Sequence, residues 1–247
     1  MPDRIFTPPA LPTGGWQDVL LLALAALFVA TLARIRVEAR HAEAGVYSAR
    51  LAWLRVLLYG CASTILAIVT GVFALVFTSP LTTATQLADA AWLAFAAACL
   101  AVELVAYGVV WRAGTRSYGR ARHLRSIALV GVLWGLSEAQ VFLSIWAIVE
   151  SFVSDRLLIV VISFVLIASF KGLWQSLYWD VRVSPPHNLP EWNLRKVLFA
   201  HVPNLLITLT YLAVTGSAAM FVAFQVVAIL ISAYVMRFPA WADRTAR

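Results

Sequence analysis

Three ionisable side chains stand inside long apolar runs of this chain, where a charge is costly and usually functional. Glu103 lies in "CLAVELVAYGVVW", Glu138 in "LWGLSEAQVFLSIW" and Lys171 in "SFKGLWQSLYWDV". A buried carboxylic acid can donate and take back a proton, and a nearby lysine can pair with it or relay that proton. The first expectation from the sequence is therefore proton chemistry inside a membrane.

Polar and aromatic side chains recur at helical spacing around these residues. Behind Lys171, one helical face carries Trp174, Gln175, Tyr178 and Trp179. Three further faces have the same character and consist of Cys99, Glu103, Tyr107 and Trp111; Trp134 and Glu138, with Ser137 and Gln140 close by; and His201, Asn204, Thr208 and Tyr211. Because polar faces in lipid turn toward one another or toward water, we predict one polar and aromatic cavity that opens to the cytoplasm.

The candidate site in this cavity has a catalytic part and a binding part. Glu138 or Glu103 is the expected general acid, and Lys171 and His201 would tune or relay its proton. The expected substrate-binding residues, whose rings could also stabilise a cationic intermediate, are Trp134, Trp174, Gln175, Tyr178 and Asn204. At about 1.5 Å per residue, the three charged groups lie roughly 12 to 18 Å from the cytoplasmic ends of their helices.

The composition indicates an all-α integral membrane protein. Of the 247 residues, 62% are hydrophobic and only 13% are charged, whereas about a quarter are charged in globular proteins. The last two apolar runs are separated by a very short turn at Gly216, so we predict a seven-helix bundle, with six helices as the alternative. The runs long enough to cross a bilayer are about 16–36, 51–79, 87–111, 126–150, 156–179, 196–215 and 217–236.

Basic residues alternate from one connection to the next. The connections after the first, third, fifth and seventh runs carry arginine or lysine, whereas "TSPLTTATQ", "ESFVSD" and "TGS" carry none. The positive-inside rule then places the N-terminus outside and the C-terminus in the cytoplasm. A net charge of +7 that is distributed in this way indicates membrane orientation, and no nucleic-acid partner is expected.

The seven runs are expected to form a single transmembrane domain over residues 16–236. Residues 1–15 and 237–247 would be an extramembrane N-terminal tail and a cytoplasmic C-terminal tail. The first of these stretches has no basic region before an apolar core, so a removable signal peptide is not expected. Within the domain, Gly131 and Gly135 form a G-x-x-x-G pattern, which predicts close helix packing.

Several other residues are expected to have ordinary roles. Cys61 and Cys99 lie in apolar runs without a paired spacing, so they are expected to be small buried side chains rather than a disulfide. Asp89 and Glu150 are expected to be interfacial charges near the outer surface. Trp111, at a predicted cytoplasmic interface, is expected to be a belt aromatic.

Other kinds of chemistry lack the residues that they need. The four histidines, His41, His123, His187 and His201, are too far apart in sequence to suggest a metal site, so neither a metal nor another cofactor is expected. The chain has no Asp-rich motif for Mg²⁺ and diphosphate, no G-x-S-x-G elbow and no G-x-G-x-x-G loop.

Three functions stay open on this evidence. The first is an enzyme of the cell membrane that acts on a lipophilic, isoprenoid-like substrate by general acid catalysis, as a cyclase, lyase or isomerase. Small seven-span terpene cyclases are similar in size and in their use of buried carboxylates, although no motif of theirs is matched. The second is a proton-coupled transporter. The third is a non-catalytic membrane subunit or assembly factor that binds a partner subunit.

Overall fold

The computed structural model describes residues 5–6, 46–47, 49–112, 122–179, 197–235, 237 and 243–244, with only the backbone described for 46–47, 51–52, 172–179 and 243–244. The described helices are α1 (Ala49–Val69), α2 (Val72–Thr78), α3 (Ala84–Ala88), α4 (Ala90–Glu103), α5 (Leu124–Phe152), α6 (Arg156–Trp179), α7 (Val202–Thr215) and α8 (Ala218–Val235). Two short strands, β1 (Val46–Tyr47) and β2 (Asp243–Arg244), pair in antiparallel fashion. The described part of the chain is therefore almost entirely helical.

Several of these helices are long and apolar enough to cross a membrane. Four qualify among the described residues, and a fifth does so if the bent pair α1 and α2 counts as one span. The four are Ala90–Trp111, Leu124–Phe152, Val197–Thr215 and Ala218–Val235. The chain is thus a multi-pass membrane protein by length and composition. Helix α6 has the bounds of the predicted run 156–179, whereas the predicted first run, 16–36, lies outside the described residues.

The predicted run 51–79 is not one continuous helix, because the chain bends by 99° between α1 and α2. Gly71 adopts a left-handed backbone with φ of 77°, a conformation that costs glycine little. Beside it, the Thr70 hydroxyl donates to the Leu66 carbonyl at 2.9 Å and lies 3.0 Å from the Ser144 hydroxyl of α5. The glycine permits the bend, and the threonine ties the end of α1 to the neighbouring helix.

Helix α5 is buried along most of its length and has α1 on one side and α8 on another. A Cβ added at Gly135 would lie 2.7 Å from the Cα of Val226 in α8, so glycine is needed for this approach. One added at Gly131 would lie 3.1 Å from the Leu230 side chain. The glycine pair thus packs α5 closely against α8.

Charged side chains fix two turns on the side where α5 ends. Glu150 is 1% exposed and accepts hydrogen bonds from the backbone N–H groups of Ile5 and Phe6 at 2.8 and 3.0 Å. Its Oε1 also lies 3.0 Å from Nη1 of Arg156. The expectation of an ordinary interfacial charge is wrong for Glu150, which anchors the N-terminal segment. Asp89 caps α4 by accepting hydrogen bonds from its first turn.

Two helices change to π-helical geometry on the side where α5 begins. Helix α4 continues as a π-helix over Leu104–Trp111, and a second π-helix, Val197–His201, leads into α7. Pro203 follows at the start of α7, where its missing N–H breaks the regular hydrogen-bond pattern. Trp111 is 2% exposed, so its predicted place in an interfacial belt is wrong. Such π-helical turns are frequent at functional sites.

Candidate functional site

A buried ion pair joins α5 and α6 in the middle of the bundle. Lys171 Nζ lies 3.0 Å from Oε1 of Glu138, and the two side chains are 6% and 1% exposed. Glu138 is the central residue of α5, about 21 Å from either end of that helix. The Lys171 ammonium also lies 5.1 Å from the centre of the Phe142 ring. The carboxylate and the face of the ring both compensate the Lys171 ammonium for the hydration that it loses on burial.

A second set of polar side chains links the two π-helical segments. The Tyr107 hydroxyl lies 3.2 Å from Nδ1 of His201 and accepts a hydrogen bond from Nδ2 of Asn204 at 3.3 Å. The ring of Trp111 packs edge-on against His201 with ring centres 4.7 Å apart. All four side chains are buried. Tyr107, in the π-helix after α4, thus contacts His201, in the π-helix before α7, and Asn204, in α7 itself.

The ion pair and this second set of side chains form one electrostatic cluster. Lys171 interacts electrostatically with Tyr107 and Glu103 as well as with Glu138. Helices α5 and α6 supply the ion pair, the segment after α4 supplies Tyr107, and the start of α7 supplies His201. Four successive helical segments thus contribute charged or polar groups to one region of the bundle.

Glu103, at the end of α4, is the least compensated member of this cluster. Its side chain is fully buried, and neither of its carboxyl oxygens has a hydrogen-bond partner among the described residues. Cys99, one turn earlier, approaches the Ile207 carbonyl of α7 at 3.9 Å instead. Since buried polar groups nearly always have partners, this carboxyl group needs an explanation.

Helix α1 brings an aromatic side chain to the same region. The rings of Tyr59 and Trp134 lie 4.6 Å apart at an angle of 42°, and Tyr59 interacts electrostatically with Glu138. The sequence reasoning missed Tyr59 because its helix has no buried charge. A signal was present, since Tyr59, Ser63 and Thr70 recur at the spacing of one helical face.

Among the predicted site residues, the structure pairs Glu138 with Lys171 and joins His201 to Asn204 through Tyr107. It buries Glu103 at the end of α4 and places Trp134 one turn before Glu138. The side chains of Trp174, Gln175 and Tyr178 lie outside the described part, so the cavity predicted from them stays a prediction. Among the described residues, no group of three or more His, Cys, Asp or Glu side chains could hold a metal ion.

Comparisons with known proteins do not assign this chain to a family. No protein-family model, curated protein or solved structure matches the chain. A function can therefore be assigned only from the residues of the site and their geometry.

Proposed function

We propose that this protein is a metal-independent acid–base enzyme of the cell membrane, acting on a lipophilic, isoprenoid-like substrate as a cyclase or double-bond isomerase. The observation that supports this most is the unequal environment of two buried carboxylates. Glu138 is paired with Lys171, whereas Glu103 has no hydrogen-bond partner among the described residues. A structural ion pair needs only one carboxylate, and a second one at such depth is costly unless it has a function.

The two carboxylates suit different steps of one reaction. Glu103, whose charge no direct partner balances, would be the proton donor, and Glu138 beside Lys171 would be the base. A proton from Glu103 would form a C–H bond as the alkene π bond breaks, which leaves a carbocation. Glu138 would then take a proton from a neighbouring carbon as a new double bond forms. The reaction needs no oxidant, reductant or metal.

The polar side chains around Tyr107 would carry a proton back to Glu103 after Glu138 has taken one from the substrate. Lys171 forms an ion pair with Glu138 and is within electrostatic range of Glu103 and of Tyr107, whose hydroxyl contacts His201. His201 lies where α7 begins, so this path leads from the ion pair toward one end of the bundle. The faces of Trp134 and its neighbour Tyr59 would stabilise the cationic intermediate.

A topology of seven spans, with the N-terminus outside and the C-terminus in the cytoplasm, belongs to this proposal. Helix α1 runs parallel to α5, because successive contacts join Ser63 to Gln140 and Thr70 to Ser144. Strand β1 precedes α1, so it lies at the end where α5 begins. The 5–6 segment lies at the opposite end, on Glu150. A first span across the bundle would join these two ends, and the alternation of basic loops supports the orientation.

The experiment that tests this function relies on the fact that cyclisation and double-bond isomerisation leave the molecular mass unchanged. A substrate and its isomer would have the same mass and differ only in chromatographic retention. Membranes from cells that express the wild type, Glu103→Gln or Glu138→Gln would be extracted and compared by liquid chromatography and mass spectrometry. We expect one pair of isomeric lipophiles whose product form depends on the wild type and is lost in both variants.

Glu150→Gln is the matched control, because it replaces another buried carboxylate far from the ion pair. It should leave the isomer ratio unchanged. A wild-type ratio in both Glu103→Gln and Glu138→Gln, with the proteins folded, would exclude the assignment.

A proton-coupled transporter is a second candidate, and the break between α1 and α2 favours it. Broken helices commonly line the substrate and ion sites of transporters, and this one bends by 99° beside α5. Proteoliposomes with an internal pH-sensitive dye would test this candidate. Proton uptake that Glu138→Gln abolishes, together with unchanged lipid extracts, would assign the protein to transport. If neither proton uptake nor the extracts depend on the carboxylates, a non-catalytic subunit is favoured.

A further inference from the structure

A groove of about 460 Å³ lies between α1, α2 and α5 on the outside of the bundle. Most of its lining is apolar, and Leu57 and Phe77 at its edges are each 56% exposed. In a membrane protein, such exposed apolar side chains face lipid. The volume falls within the range of sites that hold small organic ligands. The groove is therefore open to molecules dissolved in the bilayer.

One buried polar side chain gives this apolar groove a directed hydrogen-bond donor. Gln140 lines the groove and is 5% exposed, and its Oε1 accepts hydrogen bonds from Ser63 and Thr64 at 3.1 and 3.2 Å. These two bonds fix the amide plane. Among the described residues, the hydrogen bonds of the Gln140 side chain are the two that its oxygen accepts, which leaves the amide nitrogen as a donor toward the groove. A fixed donor without a partner in an apolar groove selects a ligand with an acceptor oxygen.

This groove is distinct from the ion-pair site. Gln140 and Glu138 are two residues apart on α5, so their side chains project about 200° apart around the helix axis. The Glu138 side contacts Lys171 of α6, whereas the Gln140 side faces α1. Binding in the groove therefore does not depend on the proposed enzymatic function.

The depth of Gln140 limits what the ligand can be. The residue lies about 3 Å along the axis from the middle of α5, and therefore about 3 Å from the midplane of a bilayer centred on that helix. Phospholipid ester oxygens lie at the boundaries of the hydrocarbon core, roughly 15 Å from the midplane. A phospholipid cannot place its carbonyl beside Gln140, but a neutral lipophile dissolved within the hydrocarbon can.

We propose that this groove binds one neutral lipophile that has an apolar chain and a carbonyl oxygen. The apolar walls hold the chain, and the Gln140 amide donates a hydrogen bond to the carbonyl oxygen. Such a bond made away from water is stronger than the same bond in water, because no water competes for the donor.

Photolabelling of the full-length protein in phosphatidylcholine nanodiscs tests this proposal. The probe is farnesylacetone, a prenyl ketone, with a diazirine at the far end of its chain, and labelled peptides are mapped by mass spectrometry. We expect labels on the α1, α2 and α5 residues that line the groove. Unlabelled farnesylacetone should compete about tenfold better than farnesane, the related hydrocarbon without oxygen.

Matched variants assign this preference to the groove. Gln140→Leu should abolish the tenfold difference between the competitors, whereas Gln225→Leu, at a buried glutamine of α8, should preserve it. Gly60→Leu should block labelling, because a Cβ at Gly60 meets only the Ser137 hydroxyl, at 3.5 Å, and the side chain would fill the groove.

Two results would overturn the proposal. One is equal competition by farnesylacetone and farnesane in the wild type, which would mean that the probe only partitions into the lipid and does not bind through its carbonyl oxygen. The other is labelling of the exposed α6 residues Leu157 and Leu158 as strong as that of the groove. Glu138→Gln should leave groove labelling intact, so failure here is distinguishable from failure of the proposed enzyme, which the isomer ratio reports.

Discussion

Removing one member of the Glu138–Lys171 pair should destabilise the bundle much more than its single contact suggests. At 3.0 Å and an effective dielectric constant of about 20, the two charges attract each other by roughly 5 kcal/mol. Burial costs each ion several kcal/mol of hydration, which is offset only while its partner is present. Lys171→Met should therefore lower the free energy of unfolding by about 3–5 kcal/mol, because Glu138 is left buried without its cation.

The double variant is the sharper part of this prediction. Glu138→Gln with Lys171→Met removes both charges, so its cost should fall well below the sum of the two single costs. We expect a coupling energy of about 2–4 kcal/mol. The assay is unfolding in mixed micelles of rising sodium dodecyl sulfate content, followed by tryptophan fluorescence.

A second ion pair in the same chain serves as the control. Glu150 and Arg156 have the same 3.0 Å separation, but the Arg156 side chain is 27% exposed. Solvent screening should limit its coupling to about 1 kcal/mol. Additive single and double changes at Glu138 and Lys171 would refute the reasoning, since they would show that the buried charges do not stabilise each other.

Three further predictions concern the packing of α5 on α8, the Tyr107 hydroxyl and the Glu150 anchor. Gly135→Ala should lower the free energy of unfolding by about 1–3 kcal/mol, because its Cβ would lie 2.7 Å from the α8 backbone. Gly131→Ala, which meets only a side chain, should cost less in the same titration, and the opposite order would contradict this packing. Tyr107→Phe should cost about 1 kcal/mol through the hydroxyl that joins α4 to α7, and an unchanged stability would show that these bonds contribute nothing. Glu150→Ala should speed hydrogen exchange at the amides of residues 5–6, measured by mass spectrometry, and unchanged protection would refute the anchor.

Hydropathy and helical spacing predicted a large part of the described architecture. The predicted runs 156–179 and 196–215 differ by at most one residue from the bounds of Arg156–Trp179 and Val197–Thr215. Apolar length predicts the bounds of such helices because a segment in the bilayer interior must satisfy its own backbone hydrogen bonds. The polar faces also indicated that Lys171 lies close to Glu103 or Glu138, because charges buried in lipid need a partner, but they did not distinguish the two carboxylates.

The features that the sequence did not predict depend on local backbone geometry and on distant contacts. A hydropathy average does not register that Gly71 turns the chain, since the flanking residues are apolar on both sides of the bend. The burial of Glu150 depends on two backbone amides about 145 residues away in sequence, and no local pattern encodes that contact. Cys61 was expected to be buried but is exposed on α1, because an apolar run does not show which side faces lipid.

The most direct test of the proposed proton chemistry is deuterium incorporation at carbon. The purified protein, with the lipophile that accompanies it, would be incubated in D₂O, extracted and analysed by mass spectrometry. We expect carbon-bound deuterium with the wild type and with Glu150→Gln, and none with Glu103→Gln. A lipophile that gains no deuterium with the wild type would contradict proton transfer between a buried carboxyl group and carbon, and with it the enzymatic function proposed for this site.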